Sequence, residues 1–361
     1  MMRPAAPARV VAASLIVVAL AACSSAPLVP WSTDTPPIVL VPAAQAGVQD
    51  QRARFREIFC AVLEARPELP DHRPCEDALT RVGGEVAGSG APVLLGSSHR
   101  RLVAEAVPGF GYDCFESWLD SQSTVATHLR PFGYDLGLVR IEGLSSSTRN
   151  AQLIRDALMA RPDEPGAPRI VLIGYSKGTP DILEALENHP EIRSRVAAFV
   201  SIAGTVGGSP LAIDAEQETA EWLTHVPGAT CSVGDRGAVA SLRPDVRRAW
   251  LAAHPLPAGV RYYSLVTMPK PERISAILKR SYSKLSQVDA RNDSQALIYD
   301  QVLPAGSLLG YLNADHWAVA VPIGRTHTTV ASLFVTENDY PREALIEAVL
   351  RFVEEDLDKP R

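Results

Sequence analysis

Arg169-Ile170-Val171-Leu172-Ile173-Gly174-Tyr175-Ser176-Lys177-Gly178 is the stretch that decides the fold. The apolar run Ile170 to Ile173 has the length and composition of a buried strand. It stops at Gly174, and Thr179 to Asn188 reads as a helix. A glycine–x–serine–x–glycine between strand and helix has the pattern of a nucleophile elbow. The glycines answer a steric demand. The turn strains the backbone at the serine, so strand and helix approach only if the residues two either side lack Cβ. Ser176 Oγ then stands at the carboxyl end of the strand, and the Lys177 amide is free to bind a developing oxyanion.

Around this junction the chain alternates strands and helices. Arg101 to Val107, Tyr134 to Ile141, Val196 to Ile202, Val260 to Val266 and Leu308 to Leu312 read as strands. Helices are expected over Arg52 to Arg66 and Asp113 to Leu129, from a Ser145–Ser147 cap to Met159, and over Pro341 to about Asp356. Alternation of this kind predicts a mostly parallel sheet covered by helices on both faces. Two inserts interrupt it. One, about 209–258, carries helical patterns at Thr219 to Thr224 and Arg243 to Ala253, with Trp222, Trp250 and Leu251 available for burial, and stands where a cap is expected. The other, Met268 to Gln287, is mixed and basic.

At this point the chain resembles the α/β-hydrolase superfamily, and within it bacterial lipases and esterases. The resemblance rests on the Gly174–Gly178 elbow, Asn292-Asp293, Asp315-His316 and the Gly208-Ser209-Pro210 turn, and covers roughly residues 100–361. It implies the chain order nucleophile, acid, histidine, which Ser176, Asp293 and His316 keep. It also implies a second oxyanion donor in Pro108-Gly-Phe-Gly-Tyr112, at the amide of Phe110 beside that of Lys177. The chemistry needs such a trio. A serine hydroxyl does not ionise alone at neutral pH, so a histidine takes its proton and a carboxylate holds the imidazole. The acid is the open position. Asp289 and Asp300 lie in the same interval, and Ser294 follows Asp293 where the family more usually has glycine. Asp315, adjacent to His316, is expected to brace the loop, and His72, His99, His128 and His327 to be structural.

The amino terminus reads as a targeting segment. Arg3 and Arg9 precede the short apolar run Val10 to Leu20, and Leu20-Ala21-Ala22-Cys23 resembles a bacterial lipobox. The resemblance implies lipidation of Cys23, and Ser24 favours an outer-membrane or periplasmic placement. The expected organisation is a lipoprotein signal peptide over 1–22 and a Pro/Ala-rich tether over 23–50. A helical extension over 51–95 and the hydrolase domain over 96–361 follow. Four other cysteines allow three pairings in an exported protein. The closeness of Cys60 and Cys75 favours that pair and leaves Cys114 with Cys231.

No histidine lies at ligand spacing from any cysteine pair, so no metal is expected, and no cofactor motif stands out. Net charge is −6, without a basic cluster that recommends nucleic acid. The resemblance implies a cell-envelope serine hydrolase that cleaves carboxylic esters, acyl lipids first among them, through an acyl-enzyme. An acyltransferase or thioesterase with the same trio, and a catalytically inactive binding or structural module on the same fold, are the alternatives.

Overall fold

The computed structural model describes residues 47–360 except 86, 101, 119–121, 163–165 and 216–230. The lipobox with Cys23, nearly all of the expected tether, and the expected helix Thr219 to Thr224 with Trp222 lie outside the described residues.

Eight strands form one sheet: β1 (Gln49–Asp50), β2 (Leu79–Thr80), β3 (Leu102–Val107), β4 (Asp135–Leu138), β5 (Arg169–Tyr175), β6 (Val196–Ile202), β7 (Arg261–Thr267) and β8 (Ser307–Leu312). Their order is β1-β8-β7-β6-β5-β3-β4, with β2 added antiparallel to β8 and every other pairing parallel. The fold is therefore of the expected α/β type. β5 lies inside the sheet between β3 and β6, which is why its sequence is apolar on both faces.

The alternation along β5 sorts the core into two layers. Val171 and Ile173 point into one cluster with Phe55, Phe59, Leu129, Leu345, Val349 and Phe352. These come from α1 (Arg52–Ala65), α2 (Gln122–Leu129) and the closing helix Arg342–Leu357. Ile170 and Leu172 point the other way, toward Ile154, Leu158, Ile182 and Leu186. Those belong to α3 (Ser147–Met159) and α4 (Gly178–Asn188). The Ser146 side chain caps α3 by accepting from the Arg149 amide.

The structure redraws three of the expected boundaries. Gln49 and Asp50, at the end of the expected tether, pair with Ser307 and Leu308. α1, expected to be an extension, buries Phe55 and Phe59 in the principal core, because a 14-residue amphipathic helix with an apolar stripe needs a sheet to cover. The single helix expected after the Gly109–Phe110 turn is a 3₁₀ segment, Tyr112–Trp118, followed by α2.

Cys60 is bonded to Cys75 and Cys114 to Cys231. The second bond ties the segment after the Gly109–Phe110 turn to the cap region. Asp113 adds to the tie, its carboxylate accepting from the amides of Gly143 and Ser232 at 3.0 Å each. Within the described part of the cap, Pro244–Ala253 forms α5 and rests Leu251 against the α3–α4 layer. The basic insert folds as two 3₁₀ turns and α6 (Lys279–Leu285). Among the described residues no helix is long and apolar enough to cross a membrane.

Candidate active site

Three segments that follow the carboxyl ends of β5, β7 and β8 converge. β5 ends at Tyr175, and Ser176 takes a φ of 53°, the left-handed region that side-chain-bearing residues avoid. The strain is held by crowding. A Cβ on Gly178 would lie 2.2 Å from the carbonyl oxygen of Val107 and 2.6 Å from that of Pro108. A Cβ on Gly174 would lie 3.0 Å from Ile182, Phe199 and Thr179. Glycine at 178 is what lets β5 and α4 meet at this angle, and glycine at 174 spares the turn a tight contact.

His316 lies on the loop after β8. Its neighbour Asp315 braces that loop by accepting from the amides of Ser275, Trp317 and Ala318 at 2.9, 3.1 and 2.9 Å. Asp293 lies in the segment between α6 and β8. Its Oδ1 accepts from the amides of Gln295 and Ala296 at 2.9 and 2.8 Å, and its carbonyl accepts from the His316 amide at 3.1 Å. Ser294, where a glycine is more usual, has a φ of 82°. The residue type departs from the pattern, but the backbone conformation that glycine serves is kept.

The three side chains form a chain of hydrogen bonds. His316 Nδ1 is 2.7 Å from Asp293 Oδ2, and His316 Nε2 is 2.8 Å from Ser176 Oγ. With Asp293 ionised, Nδ1 carries the hydrogen and Nε2 is left to accept from the serine hydroxyl. All three residues are buried, and Ser176, at 9% exposure, has the most access to solvent. The other two acids of this interval face groups other than His316. Asp289 pairs with Arg291 at 2.6 Å, and Asp300 faces Arg248 at 3.8 Å.

The segment expected to carry the second donor is equally close. A Cβ on Gly109 would fall 2.8 Å from Ser176 Cβ and 3.3 Å from its Oγ, so the Gly109–Phe110 turn lies against the serine. Among the described residues, neither the Phe110 nor the Lys177 amide enters the turn and loop hydrogen bonds. The amino end of α4, with its positive dipole, begins at Gly178. The Lys177 side chain turns inward, where Nζ donates to both oxygens of Asp181 at 2.8 and 3.0 Å. Asn150 donates to the same carboxylate at 2.8 Å. What Lys177 can offer the site is its amide.

Thr267, Gln301 and Tyr175 are supporting residues that the sequence alone does not single out. The Thr267 hydroxyl, at the end of β7, donates to Asp293 Oδ2, the oxygen that also faces His316. Gln301 fixes Thr267, its Oε1 accepting from the Thr267 amide at 2.8 Å while its Nε2 donates to the carbonyl at 3.2 Å. Tyr175 donates from its hydroxyl to the His316 carbonyl at 2.8 Å. Burial pushes its phenol well above the usual value, so the group stays a neutral donor. The only sequence signal for Thr267 is its place just past the apolar run Val260 to Val266.

Over the serine lies a cleft of about 360 Å³, with Phe110, Leu211, Ala212, Val239, Leu242 and Trp317 among its walls. A further hollow of about 420 Å³ lies between Arg100, Arg169 and Arg261, the last two opening β5 and β7 at the amino ends of the strands. It is remote from the serine. Among the described residues no group of three or more histidine, cysteine or acidic side chains is placed to hold a metal.

A mostly parallel sheet, a strained serine between strand and helix, and a histidine and acid delivered from later loops together define an α/β-hydrolase fold. The metagenomic carboxyl esterase MGS0156 has a solved structure similar to this one, with a TM-score of 0.82 and 39% sequence identity over 92% of this chain and 100% of that one. The chain belongs to the α/β-hydrolase family of that esterase. The lipase BlEst2 of Bacillus licheniformis, in its mature form, is more distant, at 21% identity and a TM-score of 0.49 over 67% of this chain and 95% of that one. No family model and no curated protein matches the sequence.

Proposed function

We propose that this chain is a serine hydrolase of the cell envelope that cleaves carboxylic esters through an acyl-enzyme. The observation that carries the reading is the unbroken series Ser176 Oγ, His316 Nε2, His316 Nδ1 and Asp293 Oδ2, at 2.8 and 2.7 Å. In this reading His316 takes the serine proton as Oγ attacks the ester carbonyl, and Asp293 stabilises the imidazolium. The Lys177 and Phe110 amides receive the oxyanion. His316 then protonates the departing alcohol and activates the water that clears the acyl group.

The apolar walls of the cleft favour an acyl chain as the group held against the serine, and acyl lipids as the natural esters. A family member that is a carboxyl esterase supports the reaction class. Envelope anchoring rests on Arg3, Arg9, the apolar run and Leu20-Ala21-Ala22-Cys23, with a lipid on Cys23.

Hydrolysis of short and long p-nitrophenyl esters by wild type, Ser176→Ala, His316→Ala and Asp293→Asn tests the reaction. Losing Ser176 or His316 should each lower turnover on the order of 10⁵-fold, and losing the acid somewhat less. A folded Ser176→Ala with wild-type turnover refutes it. For the anchor, Cys23→Ala should shift the protein from the detergent to the aqueous phase.

A further inference from the structure

The basic insert after β7 contributes none of the three hydrogen-bonded side chains Ser176, His316 and Asp293. Met268 to Gln287 carries five basic residues against one acidic residue, in a chain of net charge −6. Arg273 is neutralised by Glu337 and Asp339. Lys270, Lys279 and Arg280 remain exposed. The same insert presents Ile277 to solvent at 48% exposure, while Leu278 and Leu285 on its inner side are buried. Ile277 and Arg280 follow at helical spacing, with Lys279 beside them, so the outward side combines an apolar residue with cations.

This face does not stand alone. The Ile277 amide donates to the Phe334 carbonyl at 2.9 Å, and the Glu337 amide donates to Ser275 Oγ at 3.2 Å. The segment after His316 is thereby stitched to the insert, and it contributes Leu333 at 62% and Phe334 at 50% exposure. Three large apolar side chains are thus grouped at the carboxyl end of the sheet. Through Ser275 and Asp315 they are joined to the loop that carries His316. Exposed apolar residues gathered together and rimmed by cations mark an interaction surface.

We propose that Ile277, Leu333 and Phe334, rimmed by Lys279 and Arg280, dock on an anionic lipid bilayer. The combination is that of a shallow interfacial contact, with apolar tips entering the acyl boundary and cations meeting phosphate headgroups. A second copy of the chain fits less well, because a two-fold contact sets this cationic face against itself. The contact depends neither on the chemistry at Ser176 nor on a lipid at Cys23. It would turn the His316 side of the domain toward the membrane surface.

The test uses the full chain carrying Cys23→Ala and Ser176→Ala, which removes the anchor and prevents vesicle hydrolysis. Binding is measured by cosedimentation with phosphatidylcholine vesicles, with and without phosphatidylglycerol at about three parts in ten. The parent should prefer the anionic vesicles. Lys279→Glu with Arg280→Glu should remove that preference, each cation being worth about fivefold in binding. Leu333→Ser with Phe334→Ser, and separately Ile277→Ser, should weaken binding to both vesicle types. Circular dichroism checks folding without requiring activity. Equal binding by parent and folded variants overturns the proposal. So does a parent that ignores vesicles but forms a dimer lost on Phe334→Ser.

Discussion

Asp300→Asn is expected to stabilise the protein, by an amount that grows with pH. Asp300 is fully buried, neither of its carboxylate oxygens has a hydrogen-bond partner among the described residues, and Arg248 approaches only to 3.8 Å. Burial raises its carboxyl from 3.8 to about 7. The native state therefore holds a proton that the unfolded chain has released between these values. Stability falls as pH rises through that window and is flat above it. Once the group is ionised, the cost is about 4 kcal/mol at 1.4 kcal/mol per pH unit. Asparagine removes the charge but leaves a buried amide without partners, which offsets about half of the gain. The expected net effect is about 2 kcal/mol of added stability at about pH 8, shrinking toward zero at about pH 5. Urea unfolding of both proteins at the two pH values, followed by circular dichroism, measures it. A variant no more stable than wild type at the higher pH refutes the reasoning.

Three further outcomes follow from contacts in the structure. Thr267→Val removes the hydroxyl that donates to Asp293 Oδ2 while keeping the shape, and should lower kcat about 10- to 100-fold with KM unchanged. Thr267→Ser should restore turnover, and a valine variant with wild-type kcat contradicts the positioning role. Gly109→Ala places a Cβ 2.8 Å from Ser176 Cβ, displaces the oxyanion turn, and should cost about 10²-fold in ester turnover without unfolding the protein. A fully active alanine variant excludes Phe110 as a donor. Removing the Cys114–Cys231 bond by a double serine substitution opens a link spanning 117 residues and should cost about 4 kcal/mol in thermal or urea unfolding. Unchanged stability contradicts it.

The parts of this fold that are legible in sequence are those with local physical causes. β5 and β6 are recognisable because buried parallel strands need apolar residues on both faces. The elbow is recognisable because a side chain at 178 would run into backbone and one at 174 would be tightly crowded. Asp293 and His316 are less direct. Nothing near either residue in sequence demands a carboxylate or an imidazole, and only chain order and family likeness connect them to Ser176 before the structure brings them within 2.8 Å. Gln301 and the link from Asn150 to the Lys177–Asp181 pair leave no sequence signal, since each exists only through contacts between distant elements, and Thr267 shows only as the residue past an apolar run. β1 and β2 are two residues each, too short to carry a period, and are specified by the open edge of β8.

The central claim is that Ser176 is the nucleophile and His316 its base. A fluorophosphonate, which phosphonylates only an activated serine, tests it by intact-mass and peptide analysis of wild type, Ser176→Ala and His316→Ala. The account predicts a single adduct on the Ser176 peptide of wild type, none on Ser176→Ala, and labelling of His316→Ala slowed by at least about 10³-fold. An adduct on a different serine, or undiminished labelling of folded His316→Ala, would contradict it.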